Sequence, residues 1–336
     1  MKKLLTFLII TQLIACSTSQ VIPADDATNP PAPTASKIFF GDSSKIYSTD
    51  LTGGNRRLLV GLDTTSLNSY LMGITTNADG SKIYFRHRVS GTPSTTKQYV
   101  VNADGTGLTL LKTFTSVNSN YDYTKLTSDN KLVFFDGLYI PPASYAKNIE
   151  TLTLDGLTQT TVATIPASFT PNITQIGRAN GIYLAEQYFP SGQVWYTGSL
   201  NASFQPQTPR ALPVGAKQAR LSDDGKVVAY YKTVNATTLE LYTYNVATET
   251  ATLLAPYTIP MVGVGTGGPG SSSVSTYFTW VEGTSKLMIY SALFTSPRGV
   301  PTDYAHCSIY TVGTTAAPTT FRFEGDGLYS KIFTID

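Results

Sequence analysis

The stretch Asn77–Phe85, which reads NADGSKIYF, contains a turn and the start of a strand. Asp-Gly pairs favour tight turns between strands, because glycine adopts positive φ and aspartate bonds the backbone of the turn. The apolar residues after the pair suit a strand. A second signature, YVVNADG at Tyr99–Gly105, follows about 20 residues later. Together these signatures predict antiparallel strands joined by tight turns.

Weaker copies of this pair of signatures recur along the chain, roughly every 45 to 60 residues. A fixed period of this size, with four short strands in each unit, is typical of a β-propeller. Five internal units are predicted, and their turns lie at Asp79-Gly80, Asp129-Asn130, Asn180-Gly181, Asp224-Gly225 and Glu282-Gly283.

The two ends of the repeat region each carry part of a unit. SKIFF at Ser36–Phe40 resembles a second strand that lacks a first, and Tyr329–Asp336 resembles a first strand with nothing after it. If the ends pair, they complete a sixth blade and remove two unpaired sheet edges. The sequence therefore predicts an all-β fold, a six-bladed β-propeller of four-stranded antiparallel blades whose terminal strands close the ring.

Two segments show a resemblance to a known family. Leu221–Lys226 (LSDDGK) and Thr49–Leu58 (TDLTGGNRRL) are similar to the WD40-like repeat of TolB-type β-propellers. The resemblance covers about residues 36 to 336. TolB carries an extra α/β domain before its propeller and acts through it in the Tol-Pal system. That domain has no counterpart before Ser36, so the resemblance implies the fold and not the partners of TolB.

The first residues are predicted to be a targeting segment. Lys2 and Lys3 precede an apolar run, Leu4–Ala15, that is too short to span a bilayer. LIAC at Leu13–Cys16 resembles the lipobox of bacterial lipoproteins, which implies a signal peptide at residues 1–15 and lipidation of Cys16. The alternative is an ordinary secretory signal followed by an incidental cysteine.

Residues 16–36 are predicted to be a lipidated cysteine and a flexible tether rich in Pro, Ser and Thr, followed by the propeller at 37–336. Ser17 follows the cysteine where an aspartate would imply retention at the inner membrane, by resemblance to enterobacterial sorting rules. The expected location is therefore the cell envelope, at the outer membrane, with the lipid anchor binding the membrane.

The charge of the chain argues against a nucleic-acid partner, and its cysteine content bears on the role of Cys307. The chain has 24 Lys and Arg against 22 Asp and Glu, and loss of Lys2 and Lys3 with the signal peptide would balance them. A nucleic-acid partner is not expected, because such proteins usually show a basic excess. Cys307 would then be the single cysteine of the mature domain. It is interpreted as a buried structural thiol, with a reactive or metal-binding thiol as the alternative.

Catalytic motifs are not evident. The chain has two histidines, and neither His87 nor His306 lies in the context of a catalytic triad. His87 is expected at the surface or at a strand end, between two arginines that disfavour its protonation. The glycine-rich run at 265–270 lacks the Lys-Ser/Thr pair of a phosphate loop. The recurring aspartates are interpreted as turn formers, so neither a metal site nor a cofactor is expected.

The innermost strands of a propeller line its channel, and several predicted ones carry charged residues. Lys125, Arg178 and Arg220 are candidates to contact an anionic ligand at a channel mouth, with Asp122 as a carboxylate beside them. The alternative is that these charges only solvate a water-filled channel.

The favoured hypothesis is a lipid-anchored envelope protein, not an enzyme, whose propeller serves as an interaction scaffold for another envelope protein or a glycan. One alternative is a propeller-type hydrolase or lyase that uses carboxylates such as Asp122. Another is a propeller that binds a small ligand or an ion.

Overall fold

A computed structural model describes most of the chain after residue 36. The described residues are 37–42, 44–50, 54–62, 69–77, 79–89, 95–115, 124–127, 130–140, 144–165, 168–169, 171–177, 181–201, 205–235, 237–258, 273–280, 285–295, 300–324 and 333–335. Cys16 and the predicted targeting and tether segments lie outside them, as do Asp122 and Arg178.

The described residues form six four-stranded antiparallel sheets, the blades of a propeller. Blades 1 to 5 follow one another along the chain, and blade 6 combines the last strand with the first three. The strands are β1 (Lys37–Asp42), β2 (Lys45–Asp50), β3 (Arg57–Gly61), β4 (Ser69–Thr76), β5 (Lys82–Val89), β6 (Thr95–Asn102), β7 (Thr109–Thr115), β8 (Thr124–Leu126), β9 (Lys131–Ile140), β10 (Ser144–Thr153), β11 (Gln159–Ile165), β12 (Asn172–Ile176), β13 (Ile182–Phe189), β14 (Gly192–Ser199), β15 (Arg210–Ala211), β16 (Lys217–Leu221), β17 (Val227–Thr233), β18 (Thr238–Asn245), β19 (Thr250–Thr258), β20 (Ser273–Trp280), β21 (Lys286–Thr295), β22 (Val300–Thr311), β23 (Thr319–Glu324) and β24 (Phe333–Ile335).

The core of the molecule lies in the seams between blades. Each of the six seams holds its own cluster of buried apolar side chains, contributed by both neighbouring blades. Blade 6 supplies Phe40 to the seam with blade 5 and Phe39 to the seam with blade 1, and both rings are at most 1% exposed. Burial of apolar surface is thus distributed around the ring rather than concentrated in one centre.

The predicted closure of the ring is confirmed. In blade 6, β24 pairs antiparallel with β1, with Thr334 opposite Phe39 and Ile335 opposite Ile38. The six-bladed all-β fold and its closure by the terminal strands were therefore predictable from the repeat.

The role of the motif aspartates is confirmed where the structure describes them. Asp79 Oδ1 accepts a hydrogen bond from Ser81 N at 2.9 Å, and Asp224 Oδ1 accepts one from Lys226 N at 3.0 Å. These contacts span two residues, as expected of an aspartate that forms a turn. Asp129 and Asp336 lie outside the described residues.

Cys307 is buried, at 1% exposure, as predicted. The expectation for His87 is partly wrong, because its side chain is 4% exposed and not at the surface. Burial, and secondarily the charge of Lys97, lowers the pKa of His87 to about 4. Its protonation is therefore disfavoured, as predicted, but the cause is burial together with Lys97 and not the two neighbouring arginines.

Candidate functional site in the central channel

The inner strand of each blade lines the channel: β24, β4, β8, β12, β16 and β20. Of the predicted ligand contacts, Arg220 lies in β16. Lys125 lies in β8 and pairs with Val133 of β9. The structure describes the side chain of Arg220 but not that of Lys125. Arg178 and Asp122 lie outside the described residues, so the ring of cations and the enzymatic alternative that depends on Asp122 stay predictions.

A β-bulge shapes the strand that carries Arg220. Lys217 pairs with Tyr231 and Arg220 pairs with Ala229, so three steps along β16 match two along β17. Paired residues project to the same face of a sheet, so the extra residue places Lys217 and Arg220 on one face. That face is turned toward blade 5, because Ala229 packs in the seam of blades 4 and 5, whereas Leu221 packs toward blade 3.

In blades 1, 3 and 4 a β-bulge lies at the same number of residues before the turn that joins the first and second strands. Gly73, Thr174 and Gln218 each lie seven residues before the glycine of their turn, and each inner strand shifts register there. Gly73 has a φ of 51°, and Gln218 has a φ of 46°. Glycine adopts this left-handed conformation readily, whereas a side chain such as glutamine makes it strained. Blade 4 therefore keeps a glutamine where blade 1 uses a glycine.

The inner strands of blades 3, 4 and 5 are joined around Arg220. Leu221 N donates a hydrogen bond to Gln175 Oε1 of β12 at 2.7 Å. Trp280 Nε1 of β20 donates one to the carbonyl oxygen of Arg220 at 2.9 Å. Arg220 Nη1 donates to the carbonyl oxygen of Ala219 at 2.9 Å. The backbone that presents Arg220 is therefore held from both sides.

Burial lowers the pKa of Arg220, while interactions with Tyr290 and Glu186 act in the opposite direction. An arginine stays protonated at neutral pH even so, since its pKa begins far above neutrality. Arg220 is therefore a partly desolvated cation in the channel wall. The carboxylate of Glu186 is oriented by Gln193, whose Nε2 donates a hydrogen bond to Glu186 Oε2 at 2.5 Å.

Gln218 has a polar atom without a partner. Its Oε1 is buried, and no hydrogen bond reaches it from the part of the chain that the structure describes. A buried acceptor without a donor typically costs about 1–3 kcal/mol. The bulge thus combines a strained backbone, an unsatisfied acceptor and an adjacent cation. Sequence reasoning selected Arg220 but missed Gln218, which alignment on the Asp-Gly turns would have shown opposite Gly73.

A chain of hydroxyl groups lies in the same seam of blades 4 and 5. Tyr257 Oη is 2.9 Å from Ser291 Oγ, which is 3.0 Å from Thr276 Oγ1 of the inner strand β20. Burial raises the pKa of Tyr257 to about 12, although the hydrogen bond with Ser291 acts against this. These groups are therefore neutral at physiological pH.

Exposed apolar side chains mark one end of blades 3 and 4. Strand direction alternates within a blade, so the links β13–β14, β15–β16 and β17–β18 lie at the same end, opposite the Asp-Gly turns. We call four side chains there the apolar rim: Tyr188, Phe189, Val214 and Val234, which are 72%, 40%, 94% and 55% exposed. Tyr188 Oη accepts a hydrogen bond from Gln193 Nε2 at 3.0 Å, which orients its ring.

Within the described ranges, no three His, Cys, Asp or Glu residues converge as metal ligands would. Nor does any helix there have the length and apolar character needed to cross a membrane.

Comparison with known proteins shows similarity of fold to solved structures. No protein-family model matches the chain, and no curated protein does. Among solved structures, TolB from Acinetobacter baumannii superposes with a TM-score of 0.52 at 12% identity, over 89% of this chain and 66% of that one. This chain thus spans just under two thirds of that TolB.

A protein described as TolB from Agrobacterium tumefaciens gives a TM-score of 0.50 at 11% identity, over 90% of this chain and 98% of that one. The periplasmic gluconolactonase PpgL of Pseudomonas aeruginosa gives a TM-score of 0.46 at 12% identity, over 89% of this chain and 99% of that one. At these identities the likeness concerns the fold alone, and the chain is a TolB-like six-bladed β-propeller.

Proposed function

We propose that this protein is a lipid-anchored interaction scaffold of the bacterial cell envelope, which binds another envelope protein through the apolar rim of blades 3 and 4. A TolB-like fold is consistent with a location in the envelope. The exposure of these four apolar side chains at one end of two neighbouring blades carries the proposal, because apolar surface exposed in one region is typical of sites that bind another protein.

The composition of the rim favours a protein partner over a glycan. Val214 and Val234 offer aliphatic surface without hydrogen-bonding groups, while Tyr188 and Phe189 belong to the aromatic class enriched at protein interfaces. The rigid sheets behind the short hairpins also limit the entropy lost on binding.

A crosslinking experiment in the native envelope tests the scaffold. A photo-reactive amino acid is placed at Tyr188, at Val234 and, as the control, at Leu157. Leu157 is 80% exposed at the opposite end of the ring, in the link between β10 and β11. We expect the same discrete protein adduct from positions 188 and 234 and none from 157.

A matched variant sharpens that test. Phe189→Asp should remove the adduct formed at Val234, because a charge at the rim opposes burial. An adduct that forms equally from all three positions, or that survives Phe189→Asp, would show that the rim is not the docking surface.

The lipid anchor is a separate part of the proposal. It depends on Cys16, whose thiol is the group that would receive the lipid. Cys16→Ala should move the protein from the membrane fraction to the soluble fraction after cell breakage, whereas Cys307→Ala should not. Retention of the Cys16 variant in membranes would contradict lipid anchoring and leave the rim proposal untouched.

A further inference from the structure

We propose that the partner bound at the apolar rim adds an extended segment of its own chain to blade 3, as a strand beside residues 192–194 of β14. We call these three residues the open edge. The inference rests on the proposed scaffold function and specifies what the partner presents to the rim.

The outer strand of blade 3 is unusually short. β15 contains two residues, whereas the outer strands of the other five blades contain five to nine. Beyond β15, Leu212 N donates one more hydrogen bond to the carbonyl oxygen of Trp195, at 2.8 Å. Pro213 comes next, and its carbonyl oxygen accepts a bond from Ala216 N at 3.1 Å, which turns the chain toward β16. Proline has no N–H to donate to a ladder, so the outer strand stops there.

The end of β15 leaves backbone groups of β14 turned outward. The carbonyl oxygen of Trp195 points toward β15, because it accepts the bond from Leu212. Backbone groups alternate in direction along an antiparallel strand, so Gln193, two residues earlier, also points its N–H and C=O away from β13. Among the described residues, no strand lies beside the open edge on that side. Gly192 is exposed and Gln193 is half-buried, so another chain can reach this edge.

The apolar rim borders the open edge. Tyr188 pairs with Gln193 and Phe189 pairs with Gly192 across the hairpin, and Val214 follows the proline at which the outer strand stops. An extended segment satisfies the donor and the acceptor of Gln193 together and lays its side chains against the rim. In strand addition of this kind, backbone bonds supply affinity and side-chain contacts supply specificity. Since the rim is apolar, the segment should carry β-branched or aromatic residues, which also suit a strand.

Two variants of one residue test whether the backbone is the binding group. Gln193→Pro removes the outward N–H and breaks no bond to β13, a setting in which proline is tolerated. Gln193→Ala is the matched control, since it loses the same side-chain bonds to Glu186 and Tyr188 but keeps the N–H. Each variant of the full chain carries a photo-reactive amino acid at position 234 and is irradiated in the native envelope. We expect Gln193→Ala to keep the protein adduct and Gln193→Pro to lower its yield at least about fivefold.

The outcomes separate this inference from the scaffold proposal. An adduct that survives Gln193→Pro, or that both variants lose, would overturn strand addition and leave the scaffold in place. No adduct from the chain with Gln193 intact would overturn the scaffold, and strand addition with it. An adduct with the mass of two copies of this chain would overturn the choice of a different protein as the occupant.

Hydrogen exchange tests the same point without a substitution at Gln193. In the purified adduct, the Gln193 amide should exchange at least about tenfold more slowly than in the free protein, because it donates to the added strand. The amides of β19, the outer strand of blade 4, serve as the control and should exchange at an unchanged rate. Equal exchange of the Gln193 amide in the adduct and in the free protein would overturn the inference even if Gln193→Pro failed to fold.

Discussion

Two equivalent inner-strand residues adopt the left-handed conformation, Gly73 in blade 1 and Gln218 in blade 4. A non-glycine residue there costs about 1–2 kcal/mol. We therefore expect Gln218→Gly to raise the free energy of unfolding by about 1 kcal/mol, after allowance for the greater freedom of glycine in the unfolded chain. Urea denaturation measures this, with an unchanged slope m as evidence that the fold is intact.

The reciprocal change is the control. Gly73→Gln places a side chain at a buried position with a φ of 51°, so it should lower stability by at least about 1 kcal/mol. If Gln218→Gly instead destabilises the protein, packing of the glutamine side chain outweighs the backbone strain.

His87 predicts a pH dependence of stability. Its pKa is about 4 in the folded protein, below the ordinary 6.5, so between these values the unfolded chain binds a proton that the folded one does not. Stability is complete above pH 6.5 and falls as the pH drops toward 4, by up to about 3 kcal/mol. His87→Gln should flatten this part of the profile in urea denaturation at a series of pH values.

The carboxylates act in a separate window. Hydrogen bonds within their turns lower the pKa of Asp79, Asp104 and Asp155 below the usual 3.8, so their contribution is lost only at still lower pH. A wild-type slope between pH 6.5 and 4 that persists in His87→Gln would show that another group is responsible.

At the scale of the strands, the sequence predicted the strands and turns within each blade but not the side-chain contacts between neighbouring blades. The repeat placed the turns, the four strands of each unit and the pairing of the chain ends. It did not show that Arg86 is buried, because the aromatic rings that receive its guanidinium come partly from another blade. The ring centres of Phe114 and Phe134 lie 5.1 and 3.7 Å from Cζ of Arg86. Arg86 Nε donates a hydrogen bond to Gln98 Oε1 at 3.0 Å.

The bulges escaped prediction for a related reason. One extra residue in an inner strand leaves the apolar alternation on either side of it intact, and reveals itself only through the register with the next strand. The structure places Arg220 in an inner strand, β16, as predicted, while its role as a ligand contact stays a prediction. The face on which it lies depends on the bulge, and thus on pairing.

Trp280 tests how strongly neighbouring blades are joined. Its indole N–H donates to the carbonyl oxygen of Arg220 at 2.9 Å, whereas Trp195 is equally buried, at 5% exposure, and its Nε1 has no partner among the described residues. Trp280→Phe and Trp195→Phe remove similar apolar surface. We expect Trp280→Phe to be more destabilising by about 1–2 kcal/mol, because it also removes the hydrogen bond to the Arg220 carbonyl oxygen.

Denaturation of the two variants side by side measures that difference. The loss of ring volume is common to both, so the difference reports the Trp280 hydrogen bond together with the removal of the unpartnered Trp195 N–H. Equal destabilisation would mean that the bond adds nothing to apolar packing in this seam.

At the scale of the whole molecule, closure of the ring depends on three residues, Phe333–Ile335, paired with β1. Blade 6 contributes to two seam clusters, so its loss of order would expose both Phe39 and Phe40. Thr334→Pro places a residue without an N–H at the centre of β24, where proline is poorly tolerated. We expect a fall of at least about 1 kcal/mol in the free energy of unfolding, because proline disrupts the pairing of β24 with β1 and leaves β1 uncovered.

The matched control is Ala316→Pro, in the exposed link between β22 and β23, which should change stability little. A chain that ends at residue 332 should behave as Thr334→Pro does, since both remove the same pairing. Calorimetry should show a lower Tm for both and a broader transition, because an open ring unfolds from its two free edges rather than as one unit. If Thr334→Pro keeps the Tm of the Ala316→Pro control, the packing of blade 6 against blades 1 and 5 closes the ring without the terminal strand.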